Sequence, residues 1–148
     1  MFNERSLLYF KDYKFSDGTS KPKYFLVFRE YENGQLLLMS LPTSIRKLPI
    51  DIPDDHGCVS TENGVICTYI IHTNNSICEN GFKFPKMTYL IAEQIAAANI
   101  EILSATYTAG DYELKGKVTR KEFNSIIQCV IKSRNLKGKF KNLLNEIQ

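Results

Sequence analysis

The chain has 148 residues, 43% hydrophobic and 24% charged, which suits one soluble globular domain with a real core. No apolar run approaches the roughly 20 residues of a membrane-spanning helix. The opening Met1-Phe2-Asn3-Glu4-Arg5 also lacks the basic-then-apolar order of a secretory signal, so no membrane association and a cytoplasmic location are expected. The net charge of +3 is uneven: in residues 115–148 nine Lys or Arg against two Glu make +7, leaving −4 for the rest. A basic end on a nearly neutral body is compatible with nucleic acid or an acidic partner, and equally with a solvated helix face.

The first two-thirds read as β. Leu7-Leu8-Tyr9-Phe10 begins a strand, and Asp17-Gly18 is a turn because glycine accepts the positive φ that tight turns require. Pro22 pushes Lys21 towards extended geometry, and two lysines, Lys21 and Lys23, are thereby delivered to the mouth of the apolar run 24–28. Such a loop either is solvated or sets ammonium groups beside exposed backbone N–H groups in a place that suits phosphate. Asn33-Gly34 predicts a tight hairpin into the return strand 36–41. Pro42-Thr43-Ser44 breaks that strand, and the two prolines of 47–53 mark a short edge segment. Further strands are expected over 65–71, 82–84 and 88–91.

From Ala92 to Leu103 the alanine-rich composition favours helix, with a strand exit and turn as the alternative. Thr119-Arg120-Lys121-Glu122 has the form of a capping box, and Phe123, Ile126, Ile127, Val130 and Ile131 behind it make one apolar helical stripe. A second short helix carries Phe140, Leu143, Leu144 and Ile147 on one side. Five to seven short strands and a C-terminal helix that must bury its stripe predict a small curled sheet or barrel capped by that helix.

Four cysteines at positions 58, 67, 78 and 129 predict a reducing compartment and no disulfide scaffold. His56, Cys58, Cys67, His72 and Cys78 gather within 23 residues, but none forms the close cysteine pair usual in structural zinc sites, so no metal site is expected. Cys67 and His72, five apart on one strand, would face opposite ways and form no local dyad.

The order of these elements resembles the MazF/PemK family of toxin endoribonucleases from toxin–antitoxin pairs. The residues that carry the likeness are Phe15-Ser16-Asp17-Gly18-Thr19, Lys23 through Val27, Leu38-Met39-Ser40-Leu41-Pro42-Thr43-Ser44 and Lys47-Leu48-Pro49-Ile50-Asp51-Ile52. Downstream, Thr88-Tyr89-Leu90-Ile91-Ala92-Glu93-Gln94 is similar to the family's late strand, and Gly116 to Ile131 to its C-terminal helix. The likeness covers most of residues 1–148 as a single domain, apart from an apparent insertion at about 54–87. It implies a mainly β fold with a C-terminal helix, an SH3-like small barrel, a homodimer, an antitoxin-like protein partner, and cleavage of single-stranded RNA without metal or cofactor.

In that chemistry the ribose 2′-OH attacks the adjacent phosphate, which needs a base, an acid and donors for the negative phosphorane. The resemblance implies Lys23 on the scissile phosphate, Thr43 or Ser44 as donor, and Glu93 as acid–base group. Ser16, Asp17, Lys21, Tyr24, Arg29 and Arg46 are the implied RNA-binding residues, with Tyr24 or Tyr31 as stacking surfaces. The family has an arginine followed by proline where this chain has Lys23-Tyr24. A lysine offers one compact charge in place of a planar fork. The alternative expectation is a non-catalytic SH3-like barrel that binds nucleic acid or a protein partner.

Overall fold

A computed structural model describes residues 2–41, 56–60 and 67–147. Among them are eight strands: β1 (Ser6–Lys14), β2 (Ser20–Tyr31), β3 (Gln35–Leu41), β4 (Gly57–Ser60), β5 (Cys67–Ile71), β6 (Thr88–Ile91), β7 (Ile95–Asn99) and β8 (Tyr112–Lys117). Three α-helices, α1 (Ile100–Thr106), α2 (Arg120–Val130) and α3 (Gly138–Asn145), and a 3₁₀ turn at Ala92–Gln94 complete the described elements. The strands form two antiparallel sheets, one ordered β7-β3-β2-β1-β8 and one ordered β4-β5-β6. The mainly β character and the C-terminal helices are as expected. The described strands make two open sheets, not one closed barrel.

β2 lies at the centre of the larger sheet because both of its faces are apolar. Leu26 and Phe28 point into a core shared with β5, β6 and α2, while Phe25 and Val27 point to the opposite face with Leu8, Phe10, Leu36 and Leu38. The expected stripe of α2 supplies the lid of the first core: Phe123, Ile126, Ile127 and Val130 are all buried, and Ile131 packs against its edge. α3 adds Leu144 to the same core, with Phe140, Leu143 and Ile147 alongside. α1 covers the second face and buries none of its own residues.

Several expectations are corrected. The Asn-Gly hairpin itself forms as expected, over a three-residue loop: Tyr31 pairs with Gln35, and both Glu32 (φ 48°) and Gly34 (φ 82°) take left-handed backbone. The alanine-rich segment is mostly strand, since Ile95 to Asn99 pair with β3, and tertiary pairing overrides the alanines' helical preference. The helix begins only at Ile100, where the Asn99 side chain accepts from the Ile102 N–H. Phe82-Lys83-Phe84 is irregular chain, although Phe84 is buried against Tyr24 at 5.1 Å between ring centres. β8 is a strand that the sequence pattern did not announce. The capping box is half-formed: Thr119 Oγ1 accepts from the Glu122 N–H, but the Thr119 N–H donates to the Ile77 carbonyl and the Glu122 carboxylate points elsewhere. The cysteine expectation fails at one pair, because Cys58 and Cys129 form a disulfide; Cys67 and Cys78 are buried free thiols.

Gly116 of β8 shows how closely the loop before β6 packs. A Cβ there would lie 2.6 Å from Asn80 Oδ1 and 2.9 Å from Cys78 Cβ. Asn80 has little freedom to withdraw, since it donates to the Lys115 carbonyl and accepts from the Phe82 N–H. Gly116→Ala is therefore expected to cost about 1–3 kcal/mol as an overpacking change, measured as a lower urea midpoint at unchanged slope.

Candidate functional site

The β1–β2 connection is built by a short polar residue bonding its own loop. Asp17 Oδ1 accepts from the Thr19 N–H at 2.9 Å and from Thr19 Oγ1 at 2.6 Å, Gly18 takes φ +88°, and the Phe15 N–H donates to the Thr19 carbonyl. Those Thr19 bonds, helped by the charge of Lys21, hold the Asp17 carboxyl below its ordinary range. The ammonium groups of Lys21 and Lys23 stand 5.4 Å and 5.9 Å from the centre of the Phe15 ring. Burial, and secondarily the charge of Lys21, lowers the Lys23 pKa from that of an ordinary lysine. No described carboxylate pairs with Lys23.

Lys23 opens onto a groove of about 310 Å³ on the α1 side of the larger sheet. Its floor includes Phe25 and Leu38. The opposite wall is the 3₁₀ turn Ala92–Gln94, which brings Glu93 and Gln94 to the same groove. Glu93 is held by a hydrogen bond from the Asn135 side-chain amide, and Gln94 Oε1 accepts from Ser40 Oγ at 2.7 Å. One cation, one carboxylate and an amide thus border an aromatic floor. Such a lining can bind an anionic group joined to a flat apolar one, and the carboxylate can accept or return a proton.

Of the residues singled out by sequence, the structure brings Lys23 and Glu93 together along this groove, with Ser16 and Asp17 in the exposed loop and Lys21 at the start of β2 beside Lys23. Tyr24 points to the other face of β2, where it packs against Tyr9 and Phe84. Arg29 is engaged far from the groove: its guanidinium donates to the Leu143 carbonyl and pairs with Glu146 at 2.9 Å. Tyr31 is buried under Lys139 and offers no stacking face there. Thr43, Ser44 and Arg46 lie outside the described residues, as does the segment 47–53. Sequence reasoning missed Tyr13, Phe15, Gln94 and Asn135 as site residues. The Ser40–Gln94 and Asn135–Glu93 contacts join positions more than 40 residues apart, and no local pattern signals them.

A second polar cluster lies between α2 and the smaller sheet. Glu122, Ser125 and Cys129 recur at helical spacing on α2, above His56, Cys58 and Tyr69. Tyr69 OH donates to Glu122 Oε2 at 2.5 Å, and His56 Nε2 lies 3.2 Å from both Glu122 oxygens. Burial, then the Glu122 hydrogen bond and charge, raise the Tyr69 pKa well above the usual phenol value, with Ser125 pulling weakly the other way. This phenol is therefore a fixed donor. Comparisons with protein-family models, curated proteins and solved structures find no match for the chain.

Removing the phenol leaves a carboxylate with one fewer donor between helix and sheet. Tyr69→Phe is expected to destabilise the protein by about 1.5–3 kcal/mol, as for hydrogen bonds to charged groups, read from chemical denaturation.

Proposed function

We propose that the chain is an endoribonuclease of the MazF/PemK kind, the toxin component of a toxin–antitoxin pair, acting on single-stranded RNA in the groove between Lys23 and Glu93. One observation supports this most: two residues 70 positions apart, Lys23 marked by its loop as well as by the resemblance and Glu93 by the resemblance, line the same groove. The reading includes an SH3-like barrel, a homodimer, an antitoxin-like partner and a cytoplasmic location.

In this proposal Glu93 takes the proton of the ribose 2′-OH, and the freed oxygen attacks the adjacent phosphorus. The Lys23 ammonium stabilises the charge that builds on the phosphorane. The bond to the 5′-oxygen breaks, that oxygen takes up a proton, and a cyclic phosphate and a 5′-hydroxyl result. Asn135 positions Glu93 by its hydrogen bond. Thr43 or Ser44 supplies a further donor; β3, which leads to them in sequence, ends at Leu41. The lysine in place of a forked guanidinium favours a second reading, a non-catalytic barrel that binds nucleic acid or a protein.

Purified protein is expected to cleave single-stranded RNA in EDTA, and Lys23→Ala to abolish this while the chain stays folded by circular dichroism. RNA left intact at high protein concentration, together with a salt-sensitive gel shift, would select the non-catalytic reading.

The lowered Lys23 pKa gives a further expectation. The cation is lost at lower pH than for an ordinary lysine near about 10.4, so activity should decline on the alkaline side below that value. Lys23→Arg keeps its charge, so the decline should move to higher pH. A pH–rate profile that is identical for the two proteins would remove Lys23 from the chemistry.

A further inference from the structure

Nothing in the proposed reaction uses the disulfide Cys58–Cys129, which joins two elements of very different standing in the fold. Among the described residues β4 is an edge strand of four residues, none of them buried, paired to β5 alone. α2 is anchored independently of it, by Phe123, Ile126, Ile127 and Val130 in the core and by Ser133 beyond its end, whose hydroxyl accepts from the Cys67 N–H at 2.9 Å. Among the described residues, two side-chain ties hold the β4 region to the helix: the disulfide and the His56–Glu122 contact just before the strand. The two residues also differ in exposure: Cys58 is exposed, and Cys129 is 1% exposed.

We infer that Cys58–Cys129 is a reversible redox latch that clamps the edge strand β4 onto α2. A thiolate of a dithiol reductant attacks the Cys58 sulfur, the S–S bond breaks, and Cys129 leaves as a thiolate that takes a proton from solvent. The reductant's second thiolate then attacks the mixed disulfide, releasing the Cys58 thiolate, which takes its own proton. Two electrons pass to the protein and the reductant becomes a disulfide. Reduced, β4 retains four residue pairs with β5 and the His56 contact, so it opens locally while the core under α2 stays closed. The other two thiols do not compete for the latch: Cys67 is 2% exposed, and burial with the charge of Glu79 pushes the Cys78 thiol up to about 11.

The test uses the full chain purified without reductant. Thiol counting after denaturation should give two free cysteines, and four after native incubation with dithiothreitol. Hydrogen exchange should then quicken by about tenfold or more at Gly57–Ser60 and at the facing amides of β5 relative to β1, β2, β3 and α2, and should revert on reoxidation. The melting temperature should fall by about 5–15 °C on reduction. Cys58→Ser should reproduce the faster β4 exchange without reductant, whereas Cys67→Ser should not. Four free thiols before reduction would overturn the inference. So would a disulfide that yields only when the whole protein unfolds, or β4 exchange unmoved by reduction. If Cys58→Ser fails to fold, native reduction of the unaltered chain decides the matter.

Discussion

Four consecutive residues of β2, Phe25 to Phe28, are between 0 and 5% exposed, and a strand that is apolar on both faces must be covered on both. The rest of the fold answers that constraint. Leu26 and Phe28 meet α2 and the smaller sheet; Phe28 and Phe123 lie 5.8 Å apart between ring centres. Phe25 and Val27 meet an aromatic layer in which Phe10 and Tyr13 pack on Phe25 and Tyr107 packs on both of them. Two layers on one central strand explain why the chain needs helices at its end as well as a short helix before β8.

The two covers are unequal, and the candidate site follows from the inequality. α2 and α3 seal one face with buried side chains. On the other, α1 has seven residues and buries none of them, and a groove stays open above the buried Phe25 and Leu38. Lys23 and Glu93 reach this groove from opposite sides because β2 and the turn before β7 flank β3. A polar stripe on α2 contributes differently: Glu122, Cys129 and, past the helix end, Ser133 each grip the smaller sheet, through Tyr69, Cys58 and Cys67 respectively. Glu122 performs this task with the carboxylate that a complete capping box would have turned back on Thr119.

Local signals were legible where the physics is local. The Asp17-Gly18 turn, the stripe of α2 and the apolar β2 run each depend on neighbours within a few residues, and each appears where the pattern put it. Signals failed where a distant partner decided. Ala96, Ala97 and Ala98 favour helix by composition, but β3 offers them a ladder from Leu36 to Leu38. Tyr24 reads as a stacking residue next to Lys23, but strand alternation sends it to the other face.

By itself the sequence determined a mainly β chain with C-terminal helices and a turn that sets Lys21 and Lys23 at the start of β2. These depend on period, turn chemistry and residue type, which a short window contains. Only the tertiary structure decided that Lys23 and Glu93 share one groove, that Arg29 is spent on Glu146, and that Cys58 meets Cys129 with their Cα atoms 5.6 Å apart. Those pairings span 70, 117 and 71 positions, and they exist because β2 must be buried on both faces, which folds distant segments over it.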